Sequence, residues 1–329
     1  MKIFLTLDYE MFFGSNTGTQ ERCILYPTEL LIKILDTHNI KATFFIDSGY
    51  LIQMDKYRKE FPQIEADYQA VIAQIVKLDK NGHDIQLHIH PHWEDTIYDG
   101  KRWILDTSRY KLDDFSVSEV EDIVFRYKKV LTDIVGEKIF VFRAGGWCIQ
   151  PFGKIKKALK KENIWLDSTL FKNGINKSKT HFFDFRGMPE DDEWNFEHDP
   201  MVINPNGYFK EVPISSYRVS PLFFLKLILL KKFGGIKHQS LGDGTAAGGS
   251  KWDKLRMLIK STYSVVSMDG VKIDFLDKAY ADYKRNHKEN FVVIGHPKAF
   301  SPYSLDKLDS FLKKHQYEKF TTYQKEYSI

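Results

Sequence analysis

Four imidazoles, His83, His88, His90 and His92, fall within residues 82–93, where an apolar strand runs into a loop broken by Pro91. Neutral imidazole is the commonest nitrogen ligand for zinc-like ions, and a catalytic site pairs two or three such groups with a carboxylate, leaving a position for water. His88 and His92 are the pair selected by spacing, because a His-x-x-x-His interval lets two rings meet one ion on a turn or tight loop. The carboxylate is expected from the amino-terminal run 2–7, an apolar strand that ends in Asp8, Tyr9 and Glu10. At the period of a strand, Asp8 and Glu10 share one face, so one acid can bind metal while the other acts as a base.

These groups need elements to position them, and the other strand ends repeat the pattern. The run 42–46 leads into Asp47, 138–142 into Arg143, 164–166 into Asp167, and 291–294 into Gly295 and His296. Amphipathic segments at 27–38, 64–81, 117–135 and 152–163 alternate with these strands, which predicts parallel βα units. An α/β barrel follows, with chemistry gathered at the carboxyl ends of several strands.

On these motifs the chain resembles the polysaccharide deacetylases of the NodB-homology type, a carbohydrate esterase family built on a distorted, incomplete (β/α)7-type barrel. Thr6-Leu7-Asp8-Tyr9-Glu10 is similar to its Thr-Phe-Asp-Asp motif, Ala42-Thr43-Phe44-Phe45 to its Ala-Thr-Phe-Phe, and His88 to His92 to its paired histidines. Arg143-Ala144-Gly145-Gly146-Trp147, Asp167-Ser168-Thr169 and Val293-Ile294-Gly295-His296 follow in the family's order, and the run 320–322 resembles its last strand. Tyr9 stands where the second acid is usual and Gly145 where a proline is usual, and no tryptophan follows the aspartate motif. The Asp-x-acid arrangement resembles a divergent intracellular branch. The resemblance implies Asp8 as base and Glu10 as metal ligand with His88 and His92, the reversed pair of acids remaining open.

The chemistry follows from residue types. A His, His, carboxylate site supplies an ion, zinc by preference, that lowers the pKa of water and polarises an acyl oxygen. Asp8 is expected to take the proton of that water, and His296, arriving from the opposite side of the barrel, to protonate the leaving amine. Arg143 is expected to hold Asp8, and Asp167 to orient a histidine. The activity expected is removal of an acetyl group from an N-acetylated sugar in surface-glycan biosynthesis. Alternatives are hydrolysis of a non-sugar amide or cyclic ureide, and a carbohydrate-binding protein without turnover.

With 329 residues, 48 basic and 44 acidic side chains, the chain can bury a large core as one domain and carries no electrostatic case for nucleic acid. Two cysteines, Cys23 and Cys148, suit free buried thiols rather than a disulfide framework. The first strand begins directly after Met1, which predicts a cytoplasmic protein. Residues 171–249 fall outside the barrel pattern and read as an insertion, with a Gly-rich stretch at 242–249. Within it the run 222–232, from Leu222 to the paired Lys231 and Lys232, is apolar and then basic. Burial tendencies favour a core helix there, with an active-site lid or peripheral membrane contact, suited to a lipid-linked substrate, as the other readings.

Overall fold

The computed structural model describes residues 1–178, 180–247 and 257–328, so Gly248 and Gly249 of the Gly-rich stretch lie outside the described residues. Two compact units make up the chain: Met1–Ala42 with Ile214–Thr321, and Thr43–Pro213 with Thr322–Ile329.

The first unit is built on β1 (Lys2–Tyr9), a strand buried along almost its whole length. Helix α1 (Tyr26–Thr37) follows it, burying Leu31, Ile32 and Leu35.

The second unit opens with β2 (Thr43–Asp47), which pairs in parallel with β3 (Asp84–Ile89). Next in the sheet come β4 (Val141–Ala144) and the short β5 (Leu166–Asp167), both parallel to their neighbours. An antiparallel pair, β6 (Trp194–Phe196) and β7 (Phe209–Glu211), extends the edge, with β7 parallel to β5. Strands sandwiched between helices are buried on both faces and so read as continuous apolar runs, not as alternation. Here β2 and β3 are buried at every residue.

The helices of this unit are α2 (Ser48–Tyr57), α3 (Pro62–Lys80), α4 (Val117–Val135) and α5 (Gly153–Lys161). Their bounds match the amphipathic segments to within two residues for α3, α4 and α5. Helix α4 shows why the pattern is readable. Val120, Ile123, Val124, Tyr127, Leu131 and Val135 form one buried stripe. Its ends are marked by a Ser116–Glu119 capping box and by Gly136 at φ +85°. The strand expected at 138–142 begins only at Val141, because Lys138 is held in a turn by the Gly136 carbonyl.

The first unit resumes with α6 (Pro221–Phe233), α7 (Leu276–Arg285), β8 (Asn290–Gly295), α8 (Pro302–Lys314) and β9 (Lys319–Thr321). Strands β8 and β9 flank β1 on its two sides, both parallel to it. A hairpin, Ser216–Val219 with Thr262–Val265, carries α6 at its end. The apolar run 222–232 forms this helix but not a core helix: none of its described residues is buried. Cys23 and Cys148 are buried and free, and burial pushes their thiols up to about 11 and about 12.

Candidate active site

Parallel pairing of β1 with β8 sets Leu7 against Gly295, which brings the residues after them side by side. His296 Nε2 lies 3.6 Å from Asp8 Oδ2 and 3.8 Å from Glu10 Oε1. His296 thus arrives from the strand neighbouring β1, not from the opposite side of a barrel. Its other ring nitrogen, Nδ1, is 2.7 Å from Asp269 Oδ2, and its backbone N–H donates to Asp269 Oδ1 at 2.8 Å. A carboxylate can only accept, so this contact places a proton on Nδ1. Burial alone would lower the His296 pKa, but the charges of Asp269, Asp8 and Glu10 and the hydrogen bond to Asp269 outweigh it, and the net shift is upward. For Asp269, burial works upward, yet the facing His296 prevails and its pKa falls.

Glu10 and Asp8 are both buried. Lys298, buried in the turn after His296, places Nζ 2.8 Å from Glu10 Oε1 and also donates to the Met11 carbonyl. Neither Asp269 nor Lys298 was expected from the sequence. Lys298 follows the strand-end histidine by two residues, which is a usable signal. Asp269 has none, because it sits in an irregular segment held beside β8 by the Ser267–Ile294 bridge and by backbone bonds of Ile294 to Val266 and Met268.

In the second unit, register aligns Asp47, His88 and Arg143 across β2, β3 and β4. His88 Nδ1 is 2.9 Å from the Arg143 carbonyl. Because a carbonyl only accepts, Nδ1 carries the hydrogen, and the lone pair is left on Nε2, the form a metal ligand requires. The rings of His88 and His90 are 4.8 Å apart and edge to face. His92 is fully buried in the short turn Pro91–Asp95, stacked on Trp93 and lying parallel to Tyr110. Spacing selected His92 as the partner of His88, but His90 is the imidazole beside His88. His88 and His90 are two buried imidazoles of the second unit and Glu10 is a buried carboxylate of the first, the residue types that serve a divalent ion as donors.

Gly145, at the position of the missing proline, is explained by His90. A Cβ there would meet the Ile89 carbonyl oxygen at 2.5 Å and His90 Nδ1 at 2.6 Å. Trp93 Nε1 donates to Asp47 Oδ2 at 2.6 Å, tying the end of β2 to the turn that follows β3.

Arg143 is fully buried. Its Nε donates to the Ser168 carbonyl at 2.7 Å, its Nη2 to Ser168 Oγ at 3.1 Å, and its guanidinium lies 4.0 Å from the Phe45 ring centre. Asp167, expected to orient a histidine, accepts instead from Thr169 Oγ1 at 2.6 Å and faces Glu211 across the β5–β7 pair. Burial drives the pKa of both acids upward, Glu211 furthest, while the charge of Arg143 opposes the rise. The carboxylate that holds His296 is Asp269.

No protein-family model matches the chain, and no curated protein does. Solved structures match it along nearly its full length. A Mycobacterium smegmatis protein assigned to the polysaccharide deacetylases aligns over 96% of this chain and 83% of its own, at 16% identity and a TM-score of 0.52. PuuE allantoinase aligns over 100% and 91% of the two chains at 12% identity and a TM-score of 0.48. A peptidoglycan N-acetylglucosamine deacetylase aligns over 98% and 85% at 14% identity and a TM-score of 0.40. The fold is therefore α/β, the distorted and incomplete barrel of the NodB kind. Among the described residues no helix is long and apolar enough to cross a membrane.

Proposed function

We propose that this chain is a metal-dependent hydrolase that removes the acetyl group of an N-acetylated sugar in surface-glycan biosynthesis. The observation that carries this reading is the strand-end trio of Asp8, His296 and Asp269, in which one imidazole faces a carboxylate on each side. Such an arrangement divides acid and base between two groups. Asp8 is the group that accepts the proton of the attacking water. His296, whose pKa burial lowers but its acidic neighbours raise on balance, donates from Nε2 to the departing amine nitrogen, while Asp269 fixes the ring.

Glu10, His88 and His90 are the residues assigned to hold the ion, zinc by preference for this donor set. When bound, the ion supplies Lewis-acid polarisation of the acyl oxygen and a lower pKa for water. Lys298 holds Glu10 in place through Oε1. The backbone carbonyl of Arg143 holds His88 in the tautomer that presents Nε2.

The test is acetate release from a panel of N-acetylated sugars and glycans by zinc-loaded protein. Asp8→Asn and His296→Ala are each expected to lower turnover at least about a hundredfold, the usual effect of losing a general base or acid. Wild-type protein that binds a sugar of the panel but releases no acetate from any would be a binding protein, and the reading would be lost.

A further inference from the structure

Helix α6 reverses the usual arrangement of a surface helix. Its inward side rests Phe223 on Phe275, with ring centres 4.0 Å apart, and the outward stripe is apolar. Leu222, Leu225, Leu229 and Phe233 lie along that stripe at helical spacing and are 77%, 47%, 48% and 71% exposed, with Ile228 at its edge. A helix that is apolar all round is normally buried or in contact with lipid. The patch continues beyond the helix. Ile236 is 80% exposed, and because Val219 pairs with Thr262 in the hairpin, exposed Leu258 and Ile259 leave the same end as the start of α6.

The charge around this stripe has one sign. From Ser220 to Gly242 the sequence contains no Asp or Glu but has Lys226, Lys231, Lys232, Lys237 and His238. Lys226 reaches back to Asp274 and Lys237 to the exposed Asp306, while Lys232 has no ion pair among the described residues. Apolar side chains flanked by lysines complement the interface of an anionic bilayer, where the former enter the acyl boundary and the latter meet headgroup phosphates. A second copy of the chain would present the same positive charge and be repelled.

A groove links this helix to the proposed proton donor. Its volume is about 760 Å³, and Leu227 of α6, Phe12, Val271, Lys272 and Ala299 line it together with Asp269, the partner of His296. We propose that the chain works on an anionic membrane surface, with the outward stripe of α6 seated in the interface and the groove receiving a lipid-linked acylated sugar. The substrate part of this inference rests on the deacetylase reading. The membrane part does not, so the two fail separately.

The experiment is co-sedimentation of the full chain with vesicles of phosphatidylcholine alone or mixed with phosphatidylglycerol. Binding is expected to the mixed vesicles, weakening as salt is raised. Leu225→Ser combined with Leu229→Ser, and separately Lys232→Glu, should each cut the bound fraction about tenfold, since both apolar burial and basic charge contribute to interfacial binding. Both variants alter exposed positions, so an unchanged melting temperature shows that the fold survives. Wild-type protein that stays in the supernatant with anionic vesicles overturns the proposal. So does vesicle binding that both variants retain in full, or a dimer abolished by the double serine variant without any vesicle binding.

Discussion

Asp269 holds both the ring and the backbone of His296, so its removal should change the acidity of that ring before it changes anything else. A general acid works only while protonated, and its activity is lost as pH rises through its pKa. Since the charge of Asp269 helps to raise the His296 pKa, Asp269→Asn should lower it and move the alkaline limb of the pH–rate profile to lower pH. An unmoved limb with a uniformly lower rate would make Asp269 a packing residue only. Lys298 makes a second case. Its ammonium neutralises buried Glu10, and breaking a buried pair costs up to about 3 to 5 kcal/mol, with His296 nearby softening the loss. Lys298→Met should therefore melt at a lower temperature without metal and recover more than the wild type when zinc is added. Equal zinc increments in calorimetry would remove Glu10 from the ligand set. At this scale the sequence disclosed what sits at the ends of regular strands, because the first polar residue after a fully buried apolar run marks the edge. Asp8, Glu10, His88 and His296 were legible for that reason. Asp269 was not, since its place comes from an irregular segment's pairing with β8 and not from any local period.

Among the elements, the helices were read closely because a buried stripe and a capping box are local signals, whereas the short strands β5 and β7 acquire their role only by pairing. That pairing sets Glu211 against Asp167, two fully buried acids in register. Nothing local in the run 209–214 announces that Glu211 will face residue 167. The consequence is a pH dependence of stability. Burial first, and then the charge of Asp167, raise Glu211 well above the usual glutamate value of about 4.3. A raised folded pKa gives a contribution that is fully present below the unfolded value and lost progressively as pH climbs toward the folded one. Glu211→Gln supplies a permanent donor to Asp167 while its side-chain oxygen still accepts from the Leu170 N–H. The variant should then lose less stability than the wild type between about pH 4.5 and neutrality. Denaturant melts at a series of pH values measure this, and parallel curves for the two proteins would mean that Glu211 titrates normally.

For the whole molecule, the residues assigned to acid–base work and metal binding come from distant parts of the sequence, Asp8 and Glu10 near one end, His88 and His90 later, and Asp269 and His296 near the other. An unfolded chain cannot present such a set, so an ion that binds it binds the folded state alone and raises stability by mass action. At a free zinc concentration of about a hundred times Kd the gain is about 2.7 kcal/mol. For a chain of this size that corresponds to a rise in melting temperature of roughly 4 °C over chelator-treated protein. His88→Ala and His90→Ala should each abolish the rise. His92 is the discriminating position, because spacing alone chose it as a ligand while the structure stacks it between Trp93 and Tyr110. His92→Ala is expected to lower the melting temperature through lost packing, yet to keep the zinc-dependent increment. An increment that vanishes in His92→Ala and persists in His90→Ala would return the second imidazole to His92 and restore the His-x-x-x-His pair.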